Sequence, residues 1–209
     1  METIDICFLH SDENKHETSL VYEQMLSNTK CKIRVRLGKV GDSYSESMNA
    51  LIQACKSEYV VIFPSNIMVG ENWLEELIYN IKSFPNSGCV GIPDVFSDLD
   101  LQPILNEADE LLNVRISNNN IIEGVMIFKR ELLTDEVGNY YDKLFDFTGF
   151  EQIEFSLKFA FEGHKNFYIR KNFTVKLPLE DNKLFARKSQ ASANLLNEFV
   201  KSHINFNEQ

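Results

Sequence analysis

The feature that most constrains this chain is the apolar run from Tyr59 to Phe63, within the segment YVVIFPSN. The run has no polar side chains that could face water on alternate positions, so it predicts a strand inside a sheet that is covered on both faces. Short polar residues follow at once, at Ser65 and Asn66. In layered α/β proteins, ligands bind in the loops beyond the carboxyl ends of such strands.

Strand and helix patterns alternate along the rest of the chain. The predicted strands are Ile4 to Leu9, Lys32 to Leu37, Tyr59 to Phe63, Cys89 to Ile92, Ile121 to Lys129 and one or two within Phe167 to Leu177. The predicted helices are Glu17 to Ser27, Ser45 to Lys56, Trp73 to Ser83 with Asn72 as N-cap, a weak pattern around Leu105 to Val114, Glu151 to Glu162 and Ser189 to Ile204. This alternation predicts an α/β sandwich with a largely parallel sheet and right-handed crossovers.

Length and charge narrow the class of protein. A chain of 209 residues fits a single domain, which we expect over 1–188, followed by a helical tail over 189–209 that docks or self-associates. The net charge of -10 disfavours passive adhesion to nucleic-acid phosphates or anionic lipid. No long apolar stretch and no basic leader are present, so we expect a cytoplasmic protein without a membrane span. The four cysteines form no C-x-x-C pair, and we expect buried free thiols.

Two segments carry a family resemblance. The first is NALIQACKSEY over 49–59, followed by the buried strand and then by Trp73-Leu74-Glu75. The second is EQIEFSLKFAFEGHK over 151–165, preceded by GNYYD over 138–142. In this order and at this separation, they resemble the inverting GT-A glycosyltransferases of the family 2 type. The resemblance implies a compact GT-A three-layer sandwich that transfers a sugar from a nucleoside-diphosphate sugar, UDP-linked, to an acceptor hydroxyl with inversion.

Such chemistry needs a positive group opposite the departing diphosphate. The family's metal-binding Asp-x-Asp aligns on Pro64-Ser65-Asn66, so both carboxylates are missing. Lys176 stands where many relatives have a second metal ligand, a histidine. We expect a fixed ammonium to replace the usual Mn²⁺ or Mg²⁺, with Arg170 and Lys171 as further candidates. The alternatives are that a divalent ion still binds, through ligands the sequence does not identify, or that these cations are solvated surface residues.

The chemistry also needs a base and a nucleotide pocket. The family's Glu-Asp pair aligns on Glu151-Gln152, and glutamine cannot accept a proton at neutral pH. The base would then be Glu151 or Glu154, which are three residues apart and share a helix face. The simpler reading of Glu151 is an acidic first-turn residue that favours the helix dipole. The predicted nucleotide-sugar contacts are His10, Ser11, Asp12, Asp42, Asn49, Ser65, Asn66 and Lys176. Taken singly, His10, Ser11, Asp12 and Asp42 are more simply explained as turn formers.

Three functional hypotheses remain open. The first is an active transferase whose acceptor is a glycan or a small molecule. The second is a non-catalytic GT-A-like module that binds nucleotide sugars or a partner protein, which the changes at Ser65, Asn66 and Gln152 motivate. The third assigns hydroxymethylated phage DNA bases as the acceptor, because the residue usage is typical of AT-rich genomes. The acidic charge speaks against a large DNA-binding surface.

Overall fold

The computed structural model of the protein describes residues 3–12, 15–93, 101–105, 111–117, 122–133, 141–146, 150–169, 174–177 and 190–206. Its helices are α1 (Lys15–Ser27), α2 (Tyr44–Gln53), α3 (Trp73–Ser83), α4 (Glu151–Phe161) and α5 (Gln190–Phe206). Its strands are β1 (Ile4–His10), β2 (Ile33–Lys39), β3 (Tyr59–Pro64), β4 (Ile67–Val69), β5 (Ser87–Gly91), β6 (Leu101–Leu105), β7 (Leu111–Ser117), β8 (Met126–Lys129), β9 (Lys165–Ile169) and β10 (Thr174–Lys176).

A mixed sheet with the strand order β2-β1-β3-β8-β5-β9-β7-β6 forms the centre. The pairs β1–β2, β1–β3 and β5–β9 are parallel, and β8 inserts antiparallel between β3 and β5. β4 and β10 form a separate two-stranded antiparallel sheet. The predicted α/β sandwich with a mostly parallel sheet is therefore confirmed.

Helices cover both faces of the sheet, which explains the apolar run in β3. Tyr59, Val61 and Phe63 belong to the core cluster that contains side chains of α1 and α3. Val60 and Ile62 belong to the cluster on the other face, with side chains of α2 and α4. Since successive side chains of a strand point to opposite faces, neither set could have been polar without placing unpaired polar groups in a core.

The C-terminal helix α5 docks on the chain itself. Phe145, Phe150, Ile153 and Leu157 form a third buried cluster, and apolar residues of α5 pack against it. The ring of Phe199 lies 5.4 Å from that of Phe145, centroid to centroid. The helix α5 therefore packs against these residues within the chain itself.

Two local predictions were wrong. The helix predicted around Leu105 to Val114 is contradicted at the residues the structure describes there, because Leu105 ends β6, 111–114 begin β7, and the two strands pair antiparallel. The helix predicted to reach Lys56 ends at Gln53. Asn72, in contrast, is the N-cap residue of α3, as predicted: its carbonyl oxygen accepts the first helical hydrogen bond, from the backbone N–H of Glu76 at 3.1 Å. Its φ is 58°, and its side chain makes no capping hydrogen bond.

A buried carboxylate anchors the end of the sheet opposite the turn after β3. Asp5 on β1 accepts hydrogen bonds from the backbone N–H groups of Lys56 and Ser57, at 2.7 and 2.8 Å. It also pairs with Arg34 and Arg36 on β2. Burial acts to raise the pKa of Asp5, but the two backbone hydrogen bonds and the charge of Arg36 together hold it below its usual value. Asp5 thus ties the connection between α2 and β3 to the first two strands.

Within the described ranges, no helix is both long and apolar enough to cross a membrane.

Candidate functional site

Two parallel strands deliver polar residues to one edge of the sheet. β1 and β3 are neighbours whose register pairs Leu9 with Pro64. Ser11 follows the end of β1, and Ser65 and Asn66 form the two-residue turn that follows β3. Because the carboxyl ends of parallel strands meet at the same edge, these three residues come together although they are more than fifty positions apart in sequence.

Three polar atoms at this edge are enclosed without a partner. Ser11 Oγ, Ser65 Oγ and Asn66 Oδ1 are shielded from solvent and make no hydrogen bond within the described part of the chain. The residues Ser65 and Asn66 are only 1% and 2% exposed. Each unsatisfied buried polar atom costs about 1–3 kcal/mol, so folded proteins keep few of them without a function. Their concentration at one strand edge marks this edge as the candidate ligand site.

The fold brings the backbone of Lys176 to the same turn. After Asn66 the chain continues as β4, which pairs with β10 so that Lys176 lies opposite Ile67. The carbonyl oxygen of Asn66 accepts a hydrogen bond from the backbone N–H of Leu177 at 2.8 Å. The side chain of Lys176, together with Arg170 and Lys171, lies outside the described residues.

Helix α4 begins beside this edge and carries both candidate bases. Glu151 is its first residue and is 7% exposed. Glu154, one turn further, is fully buried, and its Oε1 lies 2.5 Å from Nζ of Lys158. Its Oε2 lies 3.5 Å from the backbone nitrogen of Asp142. Burial raises the pKa of Glu154 to about 7, although Lys158 acts in the opposite direction. Glu154 is therefore held inside the protein, and Glu151 is nearer the surface.

Gln152, the second residue of α4, bridges two segments. Its Oε1 accepts a hydrogen bond from the backbone N–H of Gly124 at 2.6 Å. Its side chain also hydrogen-bonds the hydroxyl of Tyr44, the first residue of α2. Gly124 leads into β8, the neighbour of β3, and an added Cβ there would lie 3.5 Å from Ile67 Cδ1. The side-chain amide of Gln152 therefore fixes the start of α4 against the candidate site. It does so with both an oxygen acceptor and an N–H donor, whereas an ionised carboxylate has only acceptors.

The remaining predicted contacts lie in different surroundings. Asn49 is occupied by the backbone of Tyr141, donating to its carbonyl oxygen at 3.0 Å and accepting from its N–H at 2.8 Å. Asp12 is exposed and forms an ion pair with Lys39. Asp42 is exposed in the loop before α2, and His10 is half-buried at the end of β1. Of these residues, His10 and Asp12 flank Ser11 in the chain.

The donor set at this edge does not fit a divalent metal ion. Ser11, Ser65 and Asn66 offer two neutral hydroxyls and an amide, whereas Mg²⁺ and Mn²⁺ favour carboxylate oxygens. No group of three or more His, Cys, Asp or Glu side chains that could hold a metal ion occurs among the residues with described positions. Neutral donors and acceptors of this kind instead match hydroxyl and phosphate oxygens.

An open groove of about 480 Å³ lies elsewhere, between α1 and the β4–β10 pair. Its walls are Leu20, Glu23, Gln24, Ser27, Met68 and Leu177. None of these residues has an enclosed side-chain atom without a partner. The strand edge is therefore the better candidate for the ligand site.

Sequence reasoning proposed Ser65, Asn66 and Glu151 as site residues and did not identify Tyr44 or the structural use of Gln152. Tyr44 lies in a serine-rich segment with no spacing that relates it to position 152. Burial raises the pKa of its hydroxyl well above the ordinary tyrosine value, and the charge of Glu151 adds to this effect. Only the packing of α2 against α4 reveals the pair.

No protein-family model and no curated protein matches the sequence. Solved structures are similar in fold. The crystal structure of GalNAc-T7 with UDP, GalNAc and Mn²⁺ superposes with a TM-score of 0.63 at 12% identity, over 85% of this chain and 44% of that one. The crystal structure of residues 1–349 of TarS from S. aureus gives 0.61 at 9% identity, over 85% of this chain and 60% of that one. The chain spans about half the length of these two proteins, and its fold is that of the GT-A glycosyltransferases.

Proposed function

We propose that this protein binds a nucleoside-diphosphate sugar, UDP-linked, at the edge formed by the ends of β1 and β3. The observation that carries the proposal is the set of enclosed, unpartnered atoms on Ser11, Ser65 and Asn66. The hydroxyls of the two serines can donate to phosphate oxygens, and Asn66 Oδ1 can accept from a ribose hydroxyl. A GT-A-like fold and a neighbouring structure that contains UDP support the choice of ligand.

Binding requires a local rearrangement. The three atoms are shielded even from water, so a ligand reaches them only when the adjoining backbone moves. We propose that the β4–β10 pair moves, since it adjoins the turn, both strands are three residues long, and both are separate from the main sheet. Such a movement would also reposition Lys176, which we propose as the positive partner of the diphosphate in place of a metal ion.

We propose that the protein transfers the sugar to an acceptor hydroxyl with inversion. The acceptor oxygen forms a bond to the anomeric carbon on the face opposite the phosphate, and the bond between that carbon and the phosphate oxygen breaks, releasing UDP. Glu151 receives the acceptor proton, because it begins α4 beside the site and is less enclosed than Glu154. Glu154 is engaged by Lys158 and supports the helix from within.

The first test measures binding. We expect UDP and UDP-sugars to raise the melting temperature of the wild-type protein, with or without EDTA. Ser65→Ala and Asn66→Ala should each reduce the shift. Ser87→Ala is the matched control, because Ser87 is equally buried but lies at the start of β5 and already donates to Phe84 O. No shift with any UDP compound in the wild type, or equal shifts in all variants, would refute the proposed site.

The same variants separate a ligand site from a packing role. Ser65→Ala replaces an unpartnered buried hydroxyl with hydrogen and removes its desolvation cost, so it should raise the free energy of unfolding of the free protein by about 1 kcal/mol. Higher stability together with weaker UDP binding is the expected signature. Lower stability would mean that Ser65 has a structural partner.

The second test measures turnover. We expect hydrolysis or transfer from a UDP-sugar panel to be lost in Glu151→Gln while UDP binding persists. Activity that requires Mn²⁺ would contradict the role given to Lys176. A gel shift at low salt with hydroxymethylated DNA distinguishes a DNA acceptor from a glycan or small-molecule acceptor.

A non-catalytic nucleotide-sugar-binding module is the second candidate function. The observation that favours it is Gln152, whose amide occupies the family's base position and is engaged at both ends. Binding of UDP-sugars without any turnover, unchanged by Glu151→Gln, would favour this alternative over the transferase.

A further inference from the structure

Two thiols from distant parts of the chain meet beneath α2. Cys7 lies on β1 and is fully buried, and Cys55 lies in the connection between α2 and β3 and is 4% exposed. Their sulfur atoms are 3.5 Å apart. Cys55 Sγ also lies 3.3 Å from the carbonyl oxygen of Leu51. The arrangement is a chain in which Cys7 can donate to Cys55 and Cys55 to Leu51.

The surroundings shift the pKa values of the two thiols in opposite directions. The hydrogen bond with Cys55 and the effect of burial raise the pKa of Cys7 well above its ordinary value. The hydrogen bond from Cys7 lowers the pKa of Cys55, and the charges of Arg36 and Arg130 act in the same direction, against burial and Asp5. Cys55 is thus the thiol that ionises first, and the thiolate is the reactive form of cysteine.

We propose that Cys7 and Cys55 are a redox couple that a hydroperoxide converts into an intramolecular disulfide. The Cys55 thiolate attacks the peroxide and becomes a sulfenic acid, with release of an alcohol or water after protonation. Cys7 sulfur then attacks Cys55 sulfur, the S–O bond breaks, and water leaves with the Cys7 proton. In total, two thiols and one hydroperoxide yield one disulfide, one alcohol (or water) and one further water.

Local geometry permits the reaction. Cys55 stands between the exposed residues Ala54 and Lys56, just beyond the last residue of α2. Fraying of this helix end exposes Cys55 Sγ without disturbing the sheet. Closing the sulfur separation from 3.5 Å to the bonded length of about 2.05 Å requires only a small shift of the irregular connection.

The cross-link would join segments that Asp5 already holds together through Lys56 and Ser57. The folded structure should therefore change little. The unfolded chain would be restricted, because the bond closes a loop between positions 48 residues apart. The couple lies away from Ser65 and Asn66, so it is independent of the proposed function.

The test treats the purified protein with hydrogen peroxide, blocks remaining thiols with iodoacetamide, and maps disulfides by peptide mass spectrometry. We expect a Cys7–Cys55 linkage that dithiothreitol reverses, and a rise in melting temperature of roughly 5 °C or more. Cys7→Ala and Cys55→Ala should each abolish both effects. Cys89→Ala is the matched control, because Cys89 is also fully buried but belongs to β5.

Two results would overturn the proposal. One is complete alkylation of Cys7 and Cys55 after peroxide treatment and unfolding, which would show that no bond had formed. The other is oxidation that stops at Cys31, the more exposed thiol. If an alanine variant fails to fold, the same peptide map is made with wild-type protein treated with diamide. A Cys7–Cys55 linkage in that map supports the proposal, and its absence contradicts it.

Discussion

The buried carboxyl of Glu154 should make the stability of the protein depend on pH, and Glu154→Gln should remove that dependence. The carboxyl is fully buried and faces Nζ of Lys158 at 2.5 Å. Glutamine has nearly the same shape and leaves Lys158 an amide oxygen as acceptor. The substitution therefore removes the titration while keeping the packing of α4.

The sign follows from the raised pKa of the folded state, about 7 against 4.5 for the ordinary value. Between these values the folded protein binds the proton more strongly, so this group's contribution to stability is complete below pH 4.5 and is lost as the pH rises through 7. The full difference corresponds to about 3 kcal/mol, of which about 2.5 kcal/mol falls between pH 5 and pH 8.

Urea unfolding followed by the fluorescence of Trp73 measures this effect, because Trp73 is the single tryptophan and is fully buried. The stability of Glu154→Gln relative to the wild type should increase by about 2.5 kcal/mol from pH 5 to pH 8. Glu58→Gln, at an exposed glutamate, is the control and should follow the wild type. A constant difference between Glu154→Gln and the wild type across this range would refute the reasoning.

Three further substitutions test the fold. Asp5→Ala should lower the free energy of unfolding by about 3–5 kcal/mol, because two arginines and two backbone N–H groups lose a buried partner. Chemical denaturation measures this change, and a loss below about 1 kcal/mol would contradict the anchoring role of Asp5. Gly124→Ala should lower the free energy of unfolding by about 1–3 kcal/mol. The space around Gly124 is adequate for a Cβ, but its φ of 97° strains any residue other than glycine. Unchanged stability in denaturation would mean that the backbone relaxes. Phe199→Ala should speed proteolytic removal of α5, because the ring packs against Phe145 and Phe161; limited proteolysis checks this, and an unchanged cleavage rate would argue against docking.

Elements whose burial is complete or strictly alternating were predictable from sequence. β3 was identified because every residue from Tyr59 to Phe63 is apolar, and the structure buries all of them. α4 was bounded correctly within a residue because Gly163 follows it, with a φ of 85° that favours glycine. In both cases the signal is local, so no knowledge of the rest of the chain is needed.

Elements that depend on pairing were missed or only loosely placed. β4 was missed, and β10 was covered only by the prediction of one or two strands within Phe167 to Leu177. Each has three residues, too few to show a period, and they exist because each supplies the other's hydrogen bonds. β7 was mistaken for part of a helix, because the local pattern around Leu105 to Val114 does not indicate that β7 pairs with β6 and β9. Pairing between distant segments is decided by the whole fold rather than by the local pattern.

The candidate site divides in the same way. The sequence by itself determined that Ser65 and Asn66 follow a buried strand and that Glu151 begins a helix, because hydrophobic periodicity places strand and helix ends. Only the tertiary structure decided that Ser11 Oγ joins them without a hydrogen-bond partner and that Gln152 is engaged by Gly124. Whether a polar atom is satisfied depends on neighbours that are remote in the chain, and only folding brings those neighbours into contact.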